Sequence, residues 1–102
     1  MTKQDLIKEC IRIRDSYSNN IPISERDKKW LLNEIFKYHP DWDSKGDKII
    51  DKIIVNNNWS HYNTRCFYLI YSDNTYDDIS FRWCIQNRPK ETILENNRYE
   101  QK

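Results

Sequence analysis

The chain has one glycine and three prolines in 102 residues. A single glycine excludes the glycine-rich turns that cradle phosphates in P-loops and dinucleotide sites. It also leaves little material for a backbone oxyanion pocket. No run of about 18 apolar residues exists, so no membrane-spanning helix is expected. The opening stretch, MTKQDLIKEC, lacks the unbroken apolar segment of a secretory signal. Three cysteines, Cys10, Cys66 and Cys84, are odd in number and widely spaced. They form neither a disulfide framework nor the C-x-x-C pair that pre-positions zinc ligands. A reducing, cytoplasmic setting is the expectation. Excess charge is missing too: 17 Lys+Arg stand against 16 Asp+Glu, for a net charge of +1. That balance argues against a blanket grip on nucleic acid or on an anionic membrane and leaves only local patches.

Rings are what the chain does have. Only 37% of its residues are hydrophobic, yet 14% are aromatic, with four Trp, seven Tyr and three Phe. A large ring removes more apolar surface from water than a valine, so a few can build the core of a polar chain whose mean hydropathy is -1.02. The length suits one domain, residues 1–102, with one modest core.

Leu6, Ile7, Cys10, Ile11 and Ile13, with Tyr17 a turn further on, recur at helical spacing and predict a helix over 3–17. SNNIPIS breaks it. Ser24 then has the character of an N-cap, with Asp27 three residues on approximating a capping box. Trp30, Leu31, Ile35, Phe36 and Tyr38 give a second helix, 25–38, an apolar face. Pro40 disfavours helical geometry at His39 and helps to end it. KIIDKIIV (48–55) and TRCFYLIYS (64–72) read as strands. The second is apolar on both alternating sets, as a central strand is. Asp73 and Asn74 suit the turn that follows. The segment 76–87 reads either as a third strand or as a short strand ending near Asp78, with Ser80 capping one or two helical turns; the latter is preferred. Ile93 and Leu94 could anchor a further short helix, and 95–102 should fray. The fold class is α+β: two N-terminal helices on a small antiparallel sheet of two to three strands, then one or two short helical segments.

Candidates for chemistry are sparse. His39, Cys66 and Cys84, with Cys10 or His61, could bind metal, but no close ligand pair supports it, and buried thiols are the simpler reading. Asp41/Asp43 and Asp77/Asp78 could hold a divalent cation, but turn chemistry and helix capping account for them. A catalytic role is not expected, nor is a metal or cofactor. In FKYHPDWDSKGDKI, His39 is expected to be structural. Its ring could bond a backbone group at the helix end, or carry a proton suited to a helix C-terminus, while Pro40 fixes the bend. Gly46 should adopt a backbone shape that other residues resist.

The binding candidates are rings interleaved with cations: Trp59, His61, Tyr62 and Arg65 near one end of the sheet, then Arg82, Trp83, Arg88 and Lys90. Exposed rings stack on unpaired bases, and arginine clasps phosphate or stacks in turn. Trp59 and Tyr62, in a polar loop, are the leading pair. The competing reading places these rings in the core.

From about Trp30 to Ile85 the order of short motifs adds a further clue. His39-Pro40, Lys45-Gly46, the strand with Ile53 and Val55, Arg65-Cys66-Phe67, the Asp73 turn, and Asp78, Ser80, Phe81, Arg82 and Cys84 together resemble the DCL-type domain, named for defective chloroplasts and leaves. Departures are Lys48 and Asn74, where the family usually has glycine, Ile79, and Trp83, where a lysine is common. Domains of this type occur in a plastid protein implicated in ribosomal RNA maturation and at the C-terminus of the largest subunits of plant RNA polymerases IV and V. Small stand-alone members occur in bacteria and phages. The resemblance implies no catalytic residues. It favours a non-catalytic accessory module that binds nucleic acid, RNA more than DNA. The alternative is a small protein-binding module, a phage- or bacterium-encoded modulator of a larger machine, acting as monomer or homodimer. No membrane partner is expected.

Overall fold

The computed structural model of the protein describes residues 1–58, 60 and 64–89. The short helix expected around Ile93 and Leu94 and the tail 95–102 lie outside these residues. The first helix, α1, spans Lys3–Asp15 and ends two residues before the expected position. Its start is a full capping box: Thr2 Oγ1 accepts from the Asp5 backbone N–H at 3.1 Å, and the Asp5 carboxylate accepts from Thr2 N–H at 3.0 Å. Leu6, Cys10 and Ile13 form its buried stripe.

Helix α2 spans Glu25–Glu34. Ser24 caps it as expected, accepting from Asp27 N–H at 3.1 Å. Asp27 does not complete the box. Its carboxylate instead accepts from the Tyr17 hydroxyl at 2.8 Å, and that hydroxyl accepts from Ser24 N–H at 3.0 Å. The single helix expected over 25–38 is divided. At Ile35 the backbone turns to φ -124°, ψ -65°, and the chain resumes as a 3-10 turn, Phe36–Tyr38. The break lets the neighbours Ile35 and Phe36, both fully buried, reach the core together. A short helix absent from the sequence expectation, α3 (Trp42–Lys45), follows.

Strands β1 (Ile50–Asn57), β2 (Arg65–Tyr71) and β3 (Tyr76–Ile79) form an antiparallel sheet in the order β1-β2-β3. The strand with apolar residues on both sets is the central one. The ambiguous segment resolves into β3 and then α4 (Phe81–Gln86), capped by Ser80. The architecture is α+β. One sheet face, with Ile53, Val55, Phe67, Leu69, Tyr71 and Ile79, is buried in the core cluster that the helices complete. Phe67 is its centre, making edge contacts with Phe36 at 5.7 Å and Phe81 at 6.1 Å. In the β2–β3 turn, Asn74 adopts φ 70°, the left-handed region that Asn tolerates.

Both sheet edges are occupied. Carbonyls of β1 accept from Lys28 Nζ at Asp51 (2.9 Å), from Ile23 N–H at Ile53 (2.9 Å) and from Asn20 N–H at Val55 (2.9 Å). Across the sheet, Lys45 Nζ donates to the Asp78 carbonyl of β3 at 3.0 Å. A lysine on each edge blunts pairing with another strand. Among the described residues no helix is long and apolar enough to cross a membrane.

Candidate functional site

Pieces of the sequence motif that stand far apart in the chain come together in one open groove of about 520 Å³. The corner after α2 supplies His39, Pro40 and Asp41, α3 supplies Lys45, and β3 with the start of α4 supplies Asp78, Ser80 and Trp83. His39 is extended, φ -61° and ψ 136°, as a residue before proline should be. Its N–H donates to Phe36 O at 3.0 Å, and its carbonyl accepts from Trp42 N–H at 3.0 Å. The ring accepts at Nδ1 from Asp41 N–H at 2.9 Å. The backbone partner expected for this imidazole is therefore present, but the ring is the acceptor. Burial lowers the His39 pKa, and the Lys45 ammonium pushes the same way against the smaller pull of Asp41 and Asp78. A protonated ring at the helix end is replaced by a neutral one.

Gly46 corrects its expectation as well. Its backbone, φ -90° and ψ 0°, is open to any residue. The constraint on the glycine is contact: a Cβ there would stand 2.5 Å from Trp42 Cε2, so the indole would have to shift.

On α4, Ser80 Oγ receives the Trp83 N–H at 3.5 Å and so sets where the helix starts. Trp83 projects outward with 56% of its surface exposed. Its ring meets the His39 ring edge-on, 5.9 Å away at 62°. Arg82 is exposed beside it, its guanidinium 5.3 Å from the Phe81 ring.

The other candidates separate into distinct groups. Arg65 is half-buried and spends its guanidinium on the end of α1. It donates to Asn19 Oδ1 at 2.9 Å, to Arg14 O at 3.4 Å and to Tyr17 O. Arg88 does the same for α2, donating to the Glu34 carbonyl and reaching its carboxylate at 3.4 Å, with the Tyr38 ring at 5.1 Å. Both cations stand where the dipole of a helix C-terminus favours positive charge. Trp59, His61, Tyr62 and Lys90 lie outside the described residues. Phe67 and Cys84 are core, and Cys66 is half-buried on the outer sheet face. Burial pushes the Cys10 and Cys84 thiols up to about 12, which keeps them from acting as thiolates. Burial raises Cys66 too. Among the described residues no group of three or more His, Cys, Asp and Glu could hold a metal ion.

Sequence reasoning missed a second surface. The sheet face away from the helices carries Ile54, Tyr68, Ile70 and Tyr76 in a groove of about 420 Å³ with an asparagine rim. Tyr76 is 54% exposed. The signal was available: β2 is apolar on both alternating sets and Ile54 pairs with Tyr68 on its outer one, whereas the helices pack on one side only.

With this geometry in hand, comparison with known proteins places the chain. The sequence model of a family described as a protein of unknown function (DUF3223) matches residues 11–85. The chain belongs to the DUF3223 family. This is the DCL-like domain family that the motif order resembles, and the match extends back into α1, before the motif-bearing part. Within it, the chain is 31% identical over 72 residues to DNA-directed RNA polymerase V subunit 1 of Arabidopsis thaliana. That stretch is 71% of this chain but 4% of the plant subunit. Among solved structures, the solution NMR structure of an uncharacterized protein from Rhodospirillum rubrum is similar, with a TM-score of 0.67 and 25% identity, covering 80% of this chain and 76% of the other.

Proposed function

We propose that this DUF3223 domain is a non-catalytic accessory module that binds single-stranded nucleic acid, RNA in preference to DNA, in the groove between the His39 corner and α4. The observation that carries this reading is the exposed Trp83 indole in a groove that the motif residues His39, Pro40, Lys45, Asp78 and Ser80 line with Asp41. An indole left in water sacrifices hydrophobic burial, and its face suits an unpaired base. Arg82 beside it supplies a phosphate partner, and the relationship to an RNA polymerase subunit favours a nucleic-acid setting. Neutral overall charge makes the contact local, so only a few phosphates are neutralised.

Anisotropy titration of a labelled single-stranded RNA at several salt concentrations tests this reading. Affinity should fall with salt on a shallow slope of about one or two phosphates. Trp83→Ala and Arg82→Ala should each weaken binding, and Arg82→Ala should flatten the slope. RNA that binds both variants as it binds wild type contradicts the proposal.

A second reading, a protein-binding module, draws on the outer sheet face. Tyr76, Ile54 and Ile70 form an apolar patch that no described helix covers, and aromatic residues are favoured at protein interfaces. Capture from host lysate with and without nuclease separates the two. A partner that survives nuclease favours protein, and one lost with it favours RNA.

A further inference from the structure

The binding reading above leaves open what the groove asks of its ligand, and His39 answers part of it. The ring is fixed at Nδ1, which accepts the Asp41 backbone N–H at 2.9 Å. Only an unprotonated ring nitrogen can receive that bond, so the neutral ring carries its proton on Nε2. The backbone on either side of the ring is held by the Phe36 and Trp42 bonds, and Pro40 fixes the next φ. Trp83 stands edge-on against the same ring. Lys45 of α3, Asp41 of the corner and Asp78 of β3 are the charged groups that act on it. Among the described residues, Nε2 has no acceptor, and it belongs to a half-buried ring lining the groove.

We infer that His39 is the groove's neutral hydrogen-bond donor, and that the ligand is a planar group offering an uncharged acceptor, the carbonyl edge of an unpaired base, which accepts from Nε2 while stacking on Trp83. A phosphate fits this position poorly. An anion on Nε2 favours the imidazolium, in which Nδ1–H would face the Asp41 N–H and break the bond that holds the ring. Phosphate is thereby left to Arg82, and His39 to the base.

Long-range proton–nitrogen correlation NMR of the labelled full chain, with and without a short oligouridylate, reads the tautomer directly. Two variants divide the roles of the ring. His39→Asn puts an oxygen where Nδ1 stands, keeping the Asp41 bond and deleting the donor. His39→Gln reaches the Nε2 position and gives up the Asp41 bond. The free protein should show the Nε2-protonated neutral ring. H39N should keep the wild-type amide spectrum and bind the oligouridylate about five- to tenfold more weakly, the worth of one lost hydrogen bond. H39Q should melt earlier and bind more tightly than H39N. A ring protonated on Nδ1, or H39N binding as wild type, overturns the inference alone. A wild-type protein that binds no oligouridylate overturns the nucleic-acid reading and the ligand class with it.

Discussion

Lys45 and Asp78, 33 residues apart, are joined by a bond from Nζ to a backbone carbonyl at 3.0 Å. The bond ties α3 to the outer edge of β3, and so links the two halves of the groove. It also covers an edge acceptor that another strand could use. Lys45→Met should therefore cost about 0.5–1.5 kcal/mol of stability. It should also increase self-association, read by denaturant unfolding and by sedimentation. A variant as stable and as monodisperse as wild type contradicts the assigned role.

Gly46→Ala tests a different feature of the same corner. The new Cβ would press on the Trp42 indole. Loss of about 1–3 kcal/mol is expected from overpacking, with a shift in tryptophan emission as the ring moves. Stability within a few tenths of a kcal/mol of wild type would mean that the ring swings aside freely.

Arg65 and Arg88 should behave as structural residues. Each donates to carbonyls at a helix end, and Arg88 is largely buried. Arg65→Ala and Arg88→Ala should each lower stability by about 1–3 kcal/mol, because charged hydrogen bonds are lost and carbonyls are left unpaired. RNA affinity of the folded fraction should not change. Reduced affinity at full stability would assign these arginines to the ligand instead.

His39 sets a pH dependence with a defined sign. Its folded pKa lies below the ordinary 6.5. The unfolded chain therefore takes up a proton first as pH falls, and stability that is complete above about 6.5 declines as pH drops toward the folded pKa. Denaturant midpoints measured across this window should fall for wild type and fall less for H39N. Equal slopes in the two proteins contradict the neutral ring.

Much of the fold could be read from residue pattern. The Leu6–Cys10–Ile13 stripe, the Ser24 cap, the doubly apolar β2 and the Ser80 cap each act over a few residues, so local sequence carries them. The break at Ile35 was not legible, because it arises from burying Ile35 and Phe36 together. A lone glycine suggests backbone freedom, whereas the constraint at Gly46 is a tryptophan four residues earlier. At the groove, the motif residues were recognised, but their meeting across a sheet edge depends on tertiary packing. The fate of Arg65 and Arg88 was hidden for the same reason: a cation in sequence does not reveal that its partner is a helix end 46 or more residues away.

Binding in the groove requires the residues around His39 and Trp83 to form one recognition surface, and mapping that surface tests it most directly. Amide, indole and imidazole NMR shifts of the full chain can be followed while a single-stranded RNA is titrated at low salt. The expected result is a contiguous set of shifts at His39, Asp41, Arg82 and the Trp83 indole, with Ile54, Ile70 and Tyr76 unchanged. Shifts confined to the outer sheet face, or no shifts at all, would contradict it.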